Sequence, residues 1–397
     1  MTQLTDANGG SKFLVASMQR KVYCLECSHG HPYMKEIPFT YIPGGADIIS
    51  IDAINKSVIK DDFIIGITII KRDEAQQTQF FNIYSEWDLN SDSALDAVSQ
   101  SCLALELNFV PYQLYHTETR LKHGWETVWL LSGSDCRIHI YQPDDESSSY
   151  QETDETQHFP EFAKLEEVTL WMDVYYSQDK HCRITGICGE GGTVQVFHVN
   201  VEGQPKITAS QKVEWDYPSI CIKIFNPNNY IPVPEFLKKI PGLEKLEAVS
   251  NDIKVPKVVV ANALESAFVY DDFLDDCIAM RLQDSDSQDV VTCCIVCDVN
   301  QNGRNEILLG TYGEVVLIYG QKSEGSEWSI LFHLPVASPV LAMAYCGILE
   351  DGSKQLLVMT TTGIHVFQHN PLTSADLLLK RLKSLMSHAS LCSKQNI

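Results

Sequence analysis

The sequence predicts an all-β fold, a seven-bladed β-propeller followed by a short C-terminal helix. Three observations carry the prediction. One hairpin pattern recurs seven times along the 397 residues, a further apolar strand precedes several copies, and a more polar strand follows several. Four strands per unit at a period of roughly 50 residues is the spacing of propeller blades, which hide their sheet edges by radial repetition. A pair of β-sandwiches also has many short strands and turns, but it does not repeat one hairpin seven times.

The repeated unit is a short apolar strand, a turn of small and polar residues, and a second alternating strand that often ends in an aromatic. Asn305 to Tyr319 (NEILLGTYGEVVLIY) shows it most clearly. The other copies are Lys12 to Cys27, Phe63 to Trp87, Glu126 to Tyr141, Cys182 to Val199, Lys257 to Tyr270 and Lys354 to Phe367. Preceding strands read as Asp47 to Ile54, Val168 to Tyr176, Ser219 to Phe225, Val290 to Cys297 and Val340 to Cys346. The inner strands are apolar and the outermost mixed, as burial near an axis requires. The first copy has no strand ahead of it and the last runs into a helical segment, so closing the ring is left to either terminus.

Residues 1–11 are accordingly expected to form a flexible tail, 12–370 the propeller, and 371–397 a helix and tail. Gln142 to Glu167 (QPDDESSSYQETDETQHFPEF and onward) is acidic and Ser-rich, and is expected as a mobile loop. Asn226 to Lys257 carries several prolines flanking Glu235 to Ala248 and reads as an insertion on one face. Long loops in compact domains are often functional. In the tail, Leu377, Leu378, Leu382 and Leu385 share one helical face. They predict a helix over Asp376 to Ser387 that Thr373 or Ser374 would cap.

The formal net charge of -22 would repel a phosphate backbone and an anionic membrane surface, which argues against nucleic acid as a partner. Met1 to Ser11 is polar and lacks the apolar stretch of a secretory signal, and no run of 18 or more apolar residues follows. The chain is expected in the cytosol, without direct membrane insertion. Its 13 cysteines mostly lie in apolar runs such as Val291 to Val296 and read as reduced core thiols.

The sharpest local motif is Asp298-Val299-Asn300-Gln301-Asn302-Gly303-Arg304-Asn305-Glu306, between two strands of the sixth copy. It sets Asp298, Asn300, Asn302 and Glu306 at positions 1, 3, 5 and 9 of a calcium loop, with Gly303 at the sharp turn. Only two of the four are carboxylates, and no bidentate Glu occupies position 12. The alternative is a turn held by Asx side-chain hydrogen bonds. In the seventh copy, Gly347 to Gln355 keeps Asp351 and Gly352 but loses the other ligand positions, and should bind nothing.

Cys24 and Cys27 form a CxxC followed by His29 and His31, and Cys294 and Cys297 form a second. On a strand, residues three apart point to opposite faces, so neither pair should chelate zinc. Neither a nucleophile elbow, nor a phosphate loop, nor an HExxH helix is present. Gly189 to Gly192 is a turn between strands, and His139, His198 and His365 sit within second strands of their blades. No base, nucleophile and orienting acid can be assembled, so no enzymatic activity and no obligatory cofactor are expected.

Asp298 to Glu306 with the strand that follows resembles the FG-GAP propeller repeat. Separated blocks, in order, resemble the kaptin family: Ala46 to Ser57, Ile64 to Lys71, Gln100 to Leu114, Val128 to Tyr141 and Ser338 to Tyr345. The resemblance runs from about Lys12 to the C-terminal helix. It implies a scaffold subunit of the KICSTOR complex, paired as a heterodimer with a second FG-GAP propeller subunit. That complex, through its other subunits, holds the GATOR nutrient-sensing complex at the lysosomal surface and restrains mTOR signalling when amino acids are scarce. The family is also linked to actin filaments, for which the only compact basic segment is Lys380, Arg381 and Lys383. Asn300 and Asn302 stand where kaptin-like chains carry acidic residues.

Overall fold

Period-two alternation and tight turns fold the chain into seven antiparallel sheets, each built from strands consecutive in sequence. The computed structural model describes residues 1–5, 10–56, 62–72, 77–85, 95–121, 124–144, 149–228, 256–275, 277–323, 325–349 and 352–394. The first sheet is Thr2–Thr5, Ser11–Ala16, Val22–Ser28 and His31–Ile37. The second is Ala46–Asn55, Phe63–Arg72, Gln77–Ser85 and Cys102–Leu107, and the third Pro111–Leu121, Gly124–Gly133, Ile138–Asp144 and Ser149–Thr153. The fourth is Thr169–Tyr176, Cys182–Gly189, Thr193–Asn200 and Lys206–Glu214, and the fifth Ser219–Phe225, Lys257–Asn262, Phe268–Tyr270 and Ala279–Arg281. The sixth is Val291–Cys297, Glu306–Thr311, Val315–Gln321 and Trp328–Pro335. The seventh has three strands: Val340–Cys346, Gln355–Thr360 and Ile364–Phe367.

All seven predicted hairpins are present, each as the second and third strands of its sheet. First strands of successive sheets lie against one another, which makes them the innermost. The core is seven buried clusters, each shared by two sheets. Leu14 and Ile65 belong to the cluster between the first and second sheets, Phe81 and Trp129 to the next, and Val128 and Met172 to the third. Val196 with Val258, Val259 with Leu309, and Leu308 with Val358 continue the series. Phe13 and Leu25 then pack with Ile348 and Leu357, joining the seventh sheet to the first. The cycle of neighbours is that of a propeller.

Three expectations are corrected. Residues 1–11 are not all tail: Thr2–Thr5 is the innermost strand of the first sheet, pairing Leu4 with Lys12, and Leu4 is fully buried. Ring closure therefore rests on side chains of the seventh and first sheets rather than on a terminal strand. The Ser-rich stretch 142–167 is not a loop throughout. Ser149–Thr153 is the fourth strand of the third sheet, and Phe159 and Phe162 are buried beyond it. Backbone pairing and two aromatics order a segment whose composition is polar. The final helix begins earlier than expected, at Pro371, and runs to Lys394. Its cap is Asn370, whose Oδ1 accepts the Leu372 N–H at 3.0 Å, and neither Thr373 nor Ser374 serves. Residues 229–255, most of the predicted insertion, lie outside the described residues.

Candidate functional site

The Asp298 motif links the innermost and second strands of the sixth sheet, so the chain must reverse within it. Gln301 and Gly303 make the reversal with φ of 54° and 87°. Asp298 Oδ1 accepts the Asn302 N–H and its Oδ2 the Gly303 N–H, both at 2.8 Å. Glu306 Oε2 accepts the Asn300 N–H at 3.1 Å, and its Oε1 accepts the side-chain amides of Asn300 at 3.0 Å and Asn302 at 3.3 Å. Burial raises the Glu306 pKa, with the Asn300 bonds pulling the other way.

The four predicted site residues are thus brought together, but with amide donors turned to the carboxylate. In this arrangement the two side-chain amides, rather than an ion, are the partners of the Glu306 carboxylate. The loop also fastens a neighbour. Asn305 donates its backbone N–H to Pro227 O and its Nδ2 to Asn226 O, each at 2.8 Å. These bonds tie the sixth sheet to the chain just beyond Phe225, where the predicted insertion begins. In the seventh sheet Gln355 takes the Glu306 position, its Oε1 accepting the Ile348 N–H at 2.8 Å.

The CxxC pairs are divided between faces as the strand period requires. Cys24 packs in the cluster between the first and second sheets, whereas Cys27 packs toward the seventh. Cys294 faces the fifth sheet and Cys297 the seventh. Burial pushes the Cys293 and Cys297 thiols up to about 12, far from a thiolate at neutral pH. Among the described residues no three His, Cys, Asp or Glu side chains are grouped to hold a metal.

The three histidines are held locally. His139 is stacked on Phe109 and bonded to Glu152 Oε1 at 2.7 Å and Asp135 Oδ2 at 3.1 Å, which takes up both ring nitrogens. His198 Nδ1 meets Thr208 Oγ1 at 2.5 Å, and His365 stacks on Phe367.

Charged groups do gather on the innermost strands, where the apolar strand pattern had hidden them. Asp52, in ISIDAIN, bonds His116 Nδ1 of the next sheet at 2.7 Å, and accepts Thr2 Oγ1–H of the preceding one at 3.0 Å. Asp173, in TLWMDVYY, receives Lys223 Nζ at 2.6 Å and the Ile224 N–H at 2.7 Å. Burial alone would lower the Lys223 pKa, but the Asp173 charge and its hydrogen bond outweigh it and raise it. Uncharged bonds continue the series: Ser50 Oγ accepts the Leu114 N–H at 3.0 Å, Gln113 bonds both backbone groups of Met172, and Thr292 Oγ1 donates to Val340 O at 2.7 Å. Each spans two adjacent sheets. Every carboxylate oxygen of Asp52 and Asp173 has a partner, because Ala53 N–H also reaches Asp52 Oδ1 at 2.8 Å. These bonds hold blade to blade. The sequence signal for the Asp173–Lys223 pair was a lone charged residue in each of two otherwise apolar strands, TLWMDVYY and SICIKIF.

One further ion pair is wholly buried. Arg183 of the fourth sheet grips Glu161 with Nε and Nη2 at 2.9 and 3.0 Å, while Nη2 also donates to His158 O at 2.8 Å. Its guanidinium lies 4.0 Å from the Phe159 ring centroid. The contact seats the end of the acidic segment between the third and fourth sheets.

The exposed features differ in kind. On the C-terminal helix, two members of the predicted leucine stripe, Leu378 and Leu382, are 58 and 47% exposed, whereas Leu377 is half-buried. Leu385 lies where side chains are not described. No described helix is long and apolar enough to cross a membrane.

Residues 1–379 match the family described as KICSTOR complex protein kaptin. The KICSTOR complex protein kaptin of Mus musculus is 33% identical over 386 residues, covering 95% of this chain and 86% of that protein. The fold, the ordered blocks and a match across nearly the whole length agree, and the chain belongs to the kaptin family.

Proposed function

We propose that this chain is a non-catalytic scaffold subunit of a KICSTOR complex, bound to a second FG-GAP propeller subunit. The observation that carries the reading is the family match over residues 1–379, joined to a propeller whose axial charges are neutralised in pairs. With other KICSTOR subunits it recruits the GATOR complex to the lysosomal surface and restrains mTOR when amino acids are withdrawn. It sits there peripherally, through protein contacts, and needs no cofactor. Deleting the gene and following phosphorylation of an mTOR substrate during starvation tests this. Phosphorylation should persist, and a normal shut-off would overturn the reading.

The exposed helix supports a second reading, actin-filament association, because Lys380, Arg381 and Lys383 are solvent-facing on it. Co-sedimentation with filaments at physiological salt decides it. Loss of pelleting in a Lys380→Glu, Lys383→Glu chain is the expected result if the helix is responsible.

A further inference from the structure

The seventh sheet stops one strand short of the other six, and we propose that an extended strand from a partner chain completes it by pairing with Ile364–Phe367. This rests on the heterodimeric reading above and names the surface it uses.

The backbone argument comes from register. Thr360 N–H bonds Gly363 O, which makes Thr360 and Gly363 a hydrogen-bonded pair. Antiparallel bonding alternates, so Val358 with His365 and Leu356 with Phe367 are bonded pairs too. Ile364 and Val366 then aim their N–H and C=O groups at the outer edge, where no described strand pairs with them. A sheet edge of this kind is a template for another strand.

The side-chain argument is independent. Residues directly opposite in an antiparallel ladder share a face. Phe332, on the outer strand of the sixth sheet, lies opposite Ile318, which packs toward the seventh. Met34, on the outer strand of the first sheet, lies opposite Leu25, which packs toward the seventh from the other side. Each side of the missing-strand slot thus carries an open apolar side chain, Phe332 being 56% and Met34 47% exposed, with Glu36 on the same face as Met34. Trp328, an aromatic on the same outer strand but facing the complete fifth sheet, is only 5% exposed.

Among the described residues, the segments nearest the slot are committed elsewhere. Thr2–Thr5 is already the inner strand of the first sheet, and the backbone enters the helix at Pro371, four residues after Phe367. No described segment of this chain fills the slot, and the proposed occupant is supplied in trans. Because the slot has an open apolar side chain on each side, it should be a short run apolar at successive positions, without proline where it pairs.

The test uses the full chain co-expressed with the second propeller subunit, carrying a photocrosslinking amino acid at position 332 or 34. Crosslinked peptides should come from one extended segment of that subunit. Phe332→Asp and Met34→Asp should each weaken binding at least about tenfold, or about 1.4 kcal/mol, while the melting temperature of the isolated chain stays put. Crosslinks to this chain's own residues or to a second copy would overturn the inference. So would unchanged binding by both variants in a complex that assembles normally, and that result would leave the heterodimer standing. If the wild-type chains do not assemble at all, the heterodimeric reading fails and this one with it.

Discussion

Arg183 and Glu161, 22 residues apart, form a two-pronged ion pair from which solvent is wholly excluded. Removing one member leaves the other charged and unmatched in a dry site. Glu161→Ala should therefore cost about 3–5 kcal/mol, read from urea unfolding. Replacing both, Glu161→Leu with Arg183→Met, should recover part of that loss. A single variant as stable as wild type would mean the pair does not anchor the segment.

The bond between His116 and Asp52 makes stability depend on pH. Burial alone would lower the His116 pKa, but its hydrogen bond to Asp52 and that residue's charge outweigh the burial and raise it. A raised folded value means that the contribution is full below the unfolded pKa of about 6.5 and fades as pH rises through the folded one. Urea midpoints taken from about pH 6 to pH 8 should fall by more in wild type than in Asp52→Asn. Equal slopes would remove the linkage.

Calcium should shift the melting temperature of the wild-type chain by no more than about a degree, because a ligand far below its dissociation constant contributes little. Asn300→Asp with Asn302→Asp replaces both amide donors by oxygens and should create binding. A rise of several degrees with calcium is expected for that variant alone. The same rise in wild type would show that the loop rearranges around the ion.

Gly192 and Gly203 both have positive φ, 95° and 77°, but differ in surroundings. A Cβ at Gly192 would stand 2.2 Å from Trp215 O, whereas one at Gly203 meets nothing within 4 Å. Gly203→Ala should cost about 1 kcal/mol from backbone strain, and Gly192→Ala distinctly more. Thermal unfolding of the two variants side by side checks the order.

Leu378→Asp with Leu382→Asp should leave the isolated chain's melting temperature unchanged, since both leucines are about half exposed. Binding to the second propeller subunit should weaken. A fall in stability of the free protein would place the stripe on its own blade after all.

The hairpins were legible because their information is local: in KQLLVMTTTGIHVF the alternation, the turn and the pairing fall within 14 consecutive residues. Thr2–Thr5 was not, since only Leu4 among its residues is apolar and its ladder belongs to Ser11–Ala16. Ser149–Thr153 is equally polar and becomes a strand through Ile138–Asp144. The calcium-like spacing was legible as a loop, but which atoms of Asn300 and Asn302 face Glu306 is decided only in three dimensions. Least visible were the bonds between blades. Asp52 and His116 are 64 residues apart, and no local pattern couples them.

Because the first sheet holds Thr2–Thr5 as its own inner strand, no ladder crosses from the seventh sheet to the first among the described residues. Phe13 and Leu25 meet Leu357 by packing alone. A ribosome can thus release six complete sheets in order, each laid on the one before, while the last interface waits for the final 50 or so residues. Among the described residues that interface joins the most distant parts of the sequence, and no backbone–backbone bond crosses it. It is where the ring can part as a unit, leaving every sheet intact on either side of the gap.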